Sequence, residues 1–227
     1  MRAQDVRQAL SLAAPVMLAY ASIGVPCGVM EAQVGFTPLM AFLFSATCYS
    51  GAGQFMVSNL WMAGTPLASI VLSVSLVTTR QLLYSAAFAP YLGKERRRRA
   101  LGFAALVTDE TFGVNLDRFS SADGWDLPRA NVVNVASMLS WACANGVGAA
   151  LGAVLSLPTD VMSFGMTAIF ICLLVGQLKG AATALTCLAA ALGVTACKLL
   201  GLDDVAIVVG AVAGVACGVT FGEVRDQ

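Results

Sequence analysis

Apolar runs long enough to cross a lipid bilayer recur along the whole chain, and they restrict its fold more than any motif does. They lie at about Ser11 to Met30, Pro38 to Met62, Pro66 to Leu92 and Ala100 to Leu116, then Ala130 to Leu155, Val161 to Leu178, Ala181 to Leu200 and Val205 to Phe221. A hydrocarbon core about 30 Å thick is crossed by about 20 apolar residues in helical form. The runs lack the alternation of strands, and an open sheet would leave its edge groups unpaired in lipid. With 58% apolar and 11% charged residues and a mean hydropathy of +0.80, an ordinary soluble domain is excluded. The expectation is an all-α polytopic membrane protein with about seven to eight hydrophobic segments, one or two of them broken or re-entrant. It forms a single integral membrane domain over residues 1–227, with a polar loop at 117–129 between two halves.

The charges say how such a chain sits. Thirteen basic and thirteen acidic residues cancel, and five of the basic ones cluster between Lys94 and Arg99. There is no general basic surface for nucleic acid. In a short loop between spans this cluster marks the cytoplasmic side, so loop 93–99 is expected in the cytoplasm. It can also meet anionic headgroups. Arg2, Arg7 and Ala19-Tyr20-Ala21 mimic a secretory signal, but the membrane-like remainder favours a retained first helix. Three full spans before the basic loop would put the N-terminus outside, against Arg2 and Arg7. Pro38 to Met62 is therefore the re-entrant candidate, cut by Ser50-Gly51-Ala52-Gly53-Gln54 into halves of about 12 and 8 residues, each too short to cross alone. Ala100 to Leu116 carries Thr108-Asp109-Glu110 in its middle and reads as a lining helix or a second half-span.

The chain has no histidine, and its seven cysteines fall in apolar stretches without metal-ligand spacing. We expect no metal or other cofactor, and no enzyme, since neither a paired-Asp nor a Gly-x-Ser-x-Gly arrangement is present. The cysteines read as small buried hydrophobes. Ionisable groups inside hydrocarbon are costly, at about 2.5–3.5 kcal/mol each on insertion scales, and need a partner or a watery cavity. Those here are Arg80, Asp109 and Glu110, while Lys179 and Lys198 are near enough to span ends to snorkel. Arg80 pairs with Asp109 or Glu110, leaving the other acid to titrate separately as a proton-coupling device; a plain structural ion pair is the competing reading.

Tyr84 shares a helix face with Arg80, and the two suit a carboxylate. Ser50 and Gln54 share another, with Gly51 and Gly53 allowing close approach. A helix broken there offers backbone donors to an anion and carbonyls to an ammonium, which fits a zwitterion. Gly210, Gly214, Gly218 and Gly222, and more briefly Gly148 and Gly152, make small-residue faces for helix packing, within the chain or with a partner. Trp141 and Asn145 share a face and read as packing. Two functions fit: a secondary transporter, or a non-transporting membrane scaffold or assembly subunit that uses the glycine-lined faces.

Gly51-Ala52-Gly53-Gln54-Phe55, Arg80-Gln81-Leu82-Leu83-Tyr84, Ala89-Pro90-Tyr91-Leu92 and Leu106-Val107-Thr108-Asp109-Glu110-Thr111-Phe112 give the chain a resemblance. From about Ala14 to Phe112 it resembles the large subunit of AzlC-type (azaleucine-resistance) branched-chain amino-acid exporters. Beyond that it matches only in hydropathy and in Trp141 with the glycines after it. The resemblance implies a bacterial inner-membrane permease that exports valine, leucine, isoleucine or similar neutral amino acids under the proton gradient, together with a small AzlD-type four-helix membrane subunit. The family usually has His where Gln81 stands. A Gln cannot take up a proton near pH 7, so any such role is absent here or has passed to Asp109 or Glu110. The amino acid carried, the direction of flux and the stoichiometry with the partner stay open.

Overall fold

Backbone groups at membrane depth must bond to one another, so the apolar runs become helices wherever nothing interrupts them. The computed structural model describes residues 2–93, 95–121, 124–154, 180–201 and 203–223, with isolated positions 164, 168, 171, 174 and 175. Lys94, Asp123, Cys172, Lys179 and nearly all of the segment expected over Val161 to Leu178 lie outside the described residues. The helices are α1 (Ala3–Gln33), α2 (Pro38–Thr47), α3 (Gly51–Met62), α4 (Leu67–Ala87), α5 (Ala89–Leu92), α6 (Arg97–Ala104), α7 (Asp109–Ser120), α8 (Leu127–Val154), α9 (Ala181–Leu199) and α10 (Asp203–Glu223). Among the described residues all regular structure is helical, and α1, α4 and α8 are long and apolar enough to cross a membrane. The chain is an all-α polytopic membrane protein. Two compact units are present, Met1–Met166 and Thr167–Gln227.

In the first unit α1 and α8 run parallel and in contact. Asp5 pairs with Arg129 at 2.9 Å at one end, the Ser140 hydroxyl donates to the Met17 carbonyl at 2.8 Å further along, and Gly152 meets Val29 and Ala32 at the other. The seam closes because it is made of glycine. A Cβ on Gly28 would overlap the Asn145 carbonyl oxygen, and one on Gly148 would overlap that of Val25. Gly148 and Gly152 are thus matched by Gly24 and Gly28 on α1, a pair at the same four-residue spacing that the sequence reading passed over.

α4 runs the opposite way. Val74 lies against Gly53, and Phe88 and Leu92 pack with Phe103, Leu127 and Ala130 at the end where α8 begins. That end also carries Arg2, Arg7 and Arg96 to Arg99, and is called the basic end below. The other end, from Gln33 to Pro66, has no charged residue.

Between these long helices, two segments enter and turn back. α2, of 10 residues, comes in from the uncharged end and α3, of 12, returns to it, antiparallel to the start of α4. α6, of 8 residues, comes in from the basic end, and α7, of 12, returns there, where the Tyr91 and Ser120 hydroxyls meet at 3.1 Å. At 1.5 Å per residue each arm is about 12–18 Å long, roughly half a hydrocarbon core. The first break differs from its expected place: the chain unwinds at Cys48–Ser50, and Gly51 to Gln54 form the first turn of α3. The segment Ala100 to Leu116 is itself broken, at Ala105–Thr108, and the polar stretch at 117–129 is shorter as a loop, because α7 continues to Ser120.

In the second unit α9 and α10 pack as a pair. Gly210 lies against Ala190 and Val194, Gly214 against Ala190, and Gly218 against Thr186. The stripe of glycines is therefore filled from within the chain; the surroundings of Gly222 lie outside the described residues. Of the cysteines, Cys27 and Cys197 are buried, while Cys143 is exposed, unlike the buried hydrophobe expected there.

Candidate functional site

The tips of the two broken segments meet beside the middle of α1, at Tyr20, and the last two turns of α4, at Arg80 to Ser85. The first is built by strong local stop and start signals. Thr37 caps α2 by accepting from the Met40 amide at 3.2 Å, with Pro38 in the first turn. After Cys48 and Tyr49, the Ser50 hydroxyl caps α3 by accepting from the Gly53 amide at 3.3 Å. That leaves the N–H groups of Gly51 and Ala52 without intrahelical acceptors, at the positive end of the helix dipole. The Tyr49 carbonyl, freed by the break, accepts from the Gln81 side-chain amide at 3.2 Å. Gln81 thus holds the tip to α4, a task for a neutral donor.

The second tip ends in a capping box, in which the Thr108 amide donates to the Thr111 hydroxyl at 2.9 Å. Asp109 and Glu110 follow in the first turn of α7, where the dipole favours negative charge. The Ser85 hydroxyl of α4 shares its one proton between the Gln81 carbonyl at 2.8 Å and the freed Ala104 carbonyl at 3.1 Å. Each break is therefore tied to α4 by one side chain, Gln81 and Ser85, a turn apart.

Tyr20 of α1 joins the tips. Its ring lies edge-on to Tyr49 at 6.2 Å and to Trp141 at 5.5 Å. Its hydroxyl donates to Glu110 at 2.6 Å and lies 2.6 Å from the Thr108 hydroxyl, which completes the pair as donor. Arg80 meets Asp109 at 2.9 Å, with the two side chains 32% and 25% exposed. The two neighbouring acids thus have different partners, one a guanidinium and the other a phenol. Asp109 Oδ1 is left without a hydrogen bond. Tyr84 stacks on Phe112 at 4.7 Å beside this pair.

On the α3 side, the buried Gln54 accepts from the Trp141 indole N–H, and its own amide nitrogen has no partner. The Trp141 ring covers Gly51, where a Cβ would stand 3.3 Å from it. Asn145 donates to the Trp141 carbonyl at 2.8 Å, leaving its Oδ1 unpaired. Buried polar atoms without partners are uncommon, and several around one centre mark a place where water or a solute completes the bonding.

Ser50, Gly51, Gly53, Gln54, Gln81, Arg80, Tyr84, Asp109 and Glu110 are thereby gathered around the two tips. Gly148 and Gly152 lie in the α1–α8 seam, and Gly210, Gly214 and Gly218 in the other unit. Sequence reasoning missed Tyr20 and took Trp141 for packing. An aromatic residue in an apolar helix looks like core, and only its polar edge, meeting Glu110 or Gln54, says otherwise. Replacing Trp141 by Phe keeps the ring over Gly51 but orphans the second polar end of the buried Gln54. The expected cost is about 1–3 kcal/mol, read as a lower thermal midpoint in detergent, and Gln54→Leu in the same background should recover part of it.

Two opposed half-helix pairs with a charged centre, held by long apolar helices, define a polytopic membrane protein with a polar interior. The model of the AzlC protein family matches residues 15–155, a range that includes both broken segments, and the chain belongs to that family. A Helicobacter pylori protein described as an uncharacterized membrane protein is 31% identical over 187 residues, 77% of this chain and 80% of the relative. The branched-chain amino acid transport protein AzlC of Bacillus subtilis is 24% identical over 176 residues, 75% of this chain and 67% of the relative. The inner membrane protein YgaZ of Escherichia coli is 26% identical over 216 residues, 90% and 84% of the two chains. No solved structure matches the chain.

Proposed function

We propose that this protein is a secondary transporter that exports branched-chain or similar neutral amino acids across the bacterial inner membrane, as the large subunit of a two-component permease. The observation that carries the reading is the partly exposed Arg80–Asp109 pair at the meeting of two half-helix tips. Broken helices at mid-depth are tolerated where they line a cavity, and transporter sites are commonly built that way. The printed name of the Bacillus subtilis relative points to the same class of solute.

Arg80 can bind one carboxylate at a time in bidentate fashion. A substrate carboxylate that takes Arg80 leaves Asp109 unpaired, and an unpaired acid at this depth is stable only with a proton. Substrate binding and proton uptake are then linked through Arg80, with Glu110 and Tyr20 as a second acid and a hydroxyl beside it. The α3 N-terminus, with Ser50, Gly51, Gly53 and Gln54, offers donors to the same solute, and the apolar surroundings suit an aliphatic side chain. Rocking of the long helices about the tips supplies alternating access.

The end rich in arginine is assigned to the cytoplasm, by the bias of Lys and Arg in short loops. With α2–α3 and α6–α7 both turning back, the N-terminus and loop 93–99 share that side, which removes the conflict in counting crossings. The partner is a small four-helix subunit of the AzlD type. The scaffold alternative rests on free glycine faces, and it is weakened because Gly148, Gly152, Gly210, Gly214 and Gly218 already face helices of this chain. Labelled valine, leucine, isoleucine and methionine, offered to inverted vesicles holding this chain with and without the small subunit, test the reading. Accumulation under an imposed pH gradient is the expected result. Vesicles that take up none of these amino acids under any gradient would sink it.

A further inference from the structure

Glu31, near the uncharged end of α1, has no place in the mechanism above, and it is buried to 0% exposure. Its Oε2 has no hydrogen-bond partner, and its Oε1 has only the Cys27 thiol at 4.0 Å. Among the described residues of the first unit no counter-charge is available on this side: no Lys or Arg occurs between Arg7 and Arg80, nor on α8 beyond Arg129. The segments packed against α1 on this side are therefore free of cations. Titratable groups facing it are the Cys27 thiol of its own helix and the Cys48 thiol at the α2–α3 break. α2 and α3 carry no ionisable residue, and α8 adds beyond Arg129 only Cys143, which is exposed.

An ionised carboxylate in such a place, dry and with no cation beside it, costs several kcal/mol, far more than a chain this economical in charge would carry for packing. The same site filled by Gln or Leu would be cheaper to fold. Glu31 is also placed to matter. Tyr20, Gly24, Cys27 and Glu31 lie along one buried face of α1, so the acid stands about 16 Å from Tyr20 along the helix, toward the end away from the basic loops.

We infer that Glu31 is a proton-binding site, at which a proton from the uncharged face of the protein is held before it reaches the tips, distinct from the acids beside Arg80. The step is a protonation and deprotonation of one carboxyl oxygen, with no other bond made or broken. As a role in coupling it rests on the transport reading; as a proton-binding site it does not.

Two measurements on the full chain with its subunit separate these. Infrared difference spectra of the protein in nanodiscs, taken across a pH step, report the C=O stretch of a protonated carboxyl in a dry setting. Wild type and Glu31→Asp are expected to show a band that Glu31→Gln lacks. Identical spectra for wild type and Glu31→Gln would overturn the proposal, whatever transport does. In proteoliposomes, Glu31→Gln should keep exchange of labelled for unlabelled leucine at equal pH within about threefold and lose accumulation under a pH gradient by at least tenfold. Full gradient-driven accumulation by Glu31→Gln would refute its part in coupling, and so would a sodium gradient alone driving wild type but not the variant. A wild type that exchanges and accumulates nothing counts against the transporter reading, while the infrared band still decides the site.

Discussion

Arg80→Gln is expected to lower amino-acid transport by about 100-fold or more, a loss equal to roughly 2.8 kcal/mol of binding. The variant removes the guanidinium that a substrate carboxylate would use and strands Asp109, which already has one oxygen unpaired. Breaking an ion pair by deleting one member costs more than deleting both, because the survivor keeps its desolvation penalty. Since the pair is 32% and 25% exposed, part of that penalty is screened and the protein should still insert. The double variant Arg80→Gln with Asp109→Asn should therefore regain thermal stability over the single one without regaining transport. Asp109→Asn alone should keep exchange better than gradient-driven accumulation. Wild-type transport by Arg80→Gln, in protein shown to be folded, would remove the pair from the mechanism and leave it a helix clamp.

The second large effect lies in the α1–α8 seam. Gly28→Ala places a methyl group where the Asn145 carbonyl oxygen stands, and Gly148→Ala does the same against Val25. Backbone atoms cannot yield as a side chain end can, so the two helices must part, at a cost of at least about 3 kcal/mol, the upper range for overpacking. Because Tyr20 and Trp141 sit on these two helices, parting them also breaks the contact between their rings beside the tips. Loss of the monodisperse species in detergent is the expected readout. Gly102 and Gly113 are the controls: a Cβ on either meets nothing within 4 Å, and Ala there should leave the midpoint unchanged or raise it, as an alanine in a helix does by about 0.5–1 kcal/mol. Equal behaviour of all four variants would mean that the seam is not as tight as described.

How legible the site was depended on the kind of signal. Arg80, Asp109 and Glu110 stood out because a charge in oil is anomalous wherever it occurs, with no knowledge of neighbours required. The break near Ser50 was visible through its glycines but was set a few residues late. Gly51 and Gly53 do not form the unwound stretch; they let Trp141 and Ser50 approach the first turn of α3. The second break, at Ala105–Thr108, was only one of two readings. Its markers, a threonine cap and two acids, are ordinary at any helix start. Tyr20 and Trp141 looked like core because each is an aromatic in a long apolar helix, and Glu31 was left out because the first apolar run was ended at Met30, although α1 continues to Gln33.

The amino-acid sequence alone settled that this chain lives in lipid as helices, and it marked the charges at the tips, though not Glu31. Those facts follow from transfer free energies that add residue by residue and from the need of every backbone group for a nearby partner. Only the folded chain decided which acid meets Arg80 and which meets Tyr20, that α1 and α8 lie side by side and parallel, and that both broken segments turn back toward their own sides. These depend on close approach between groups far apart in the chain, where a glycine in one helix admits a carbonyl of another, and no local pattern encodes the partner.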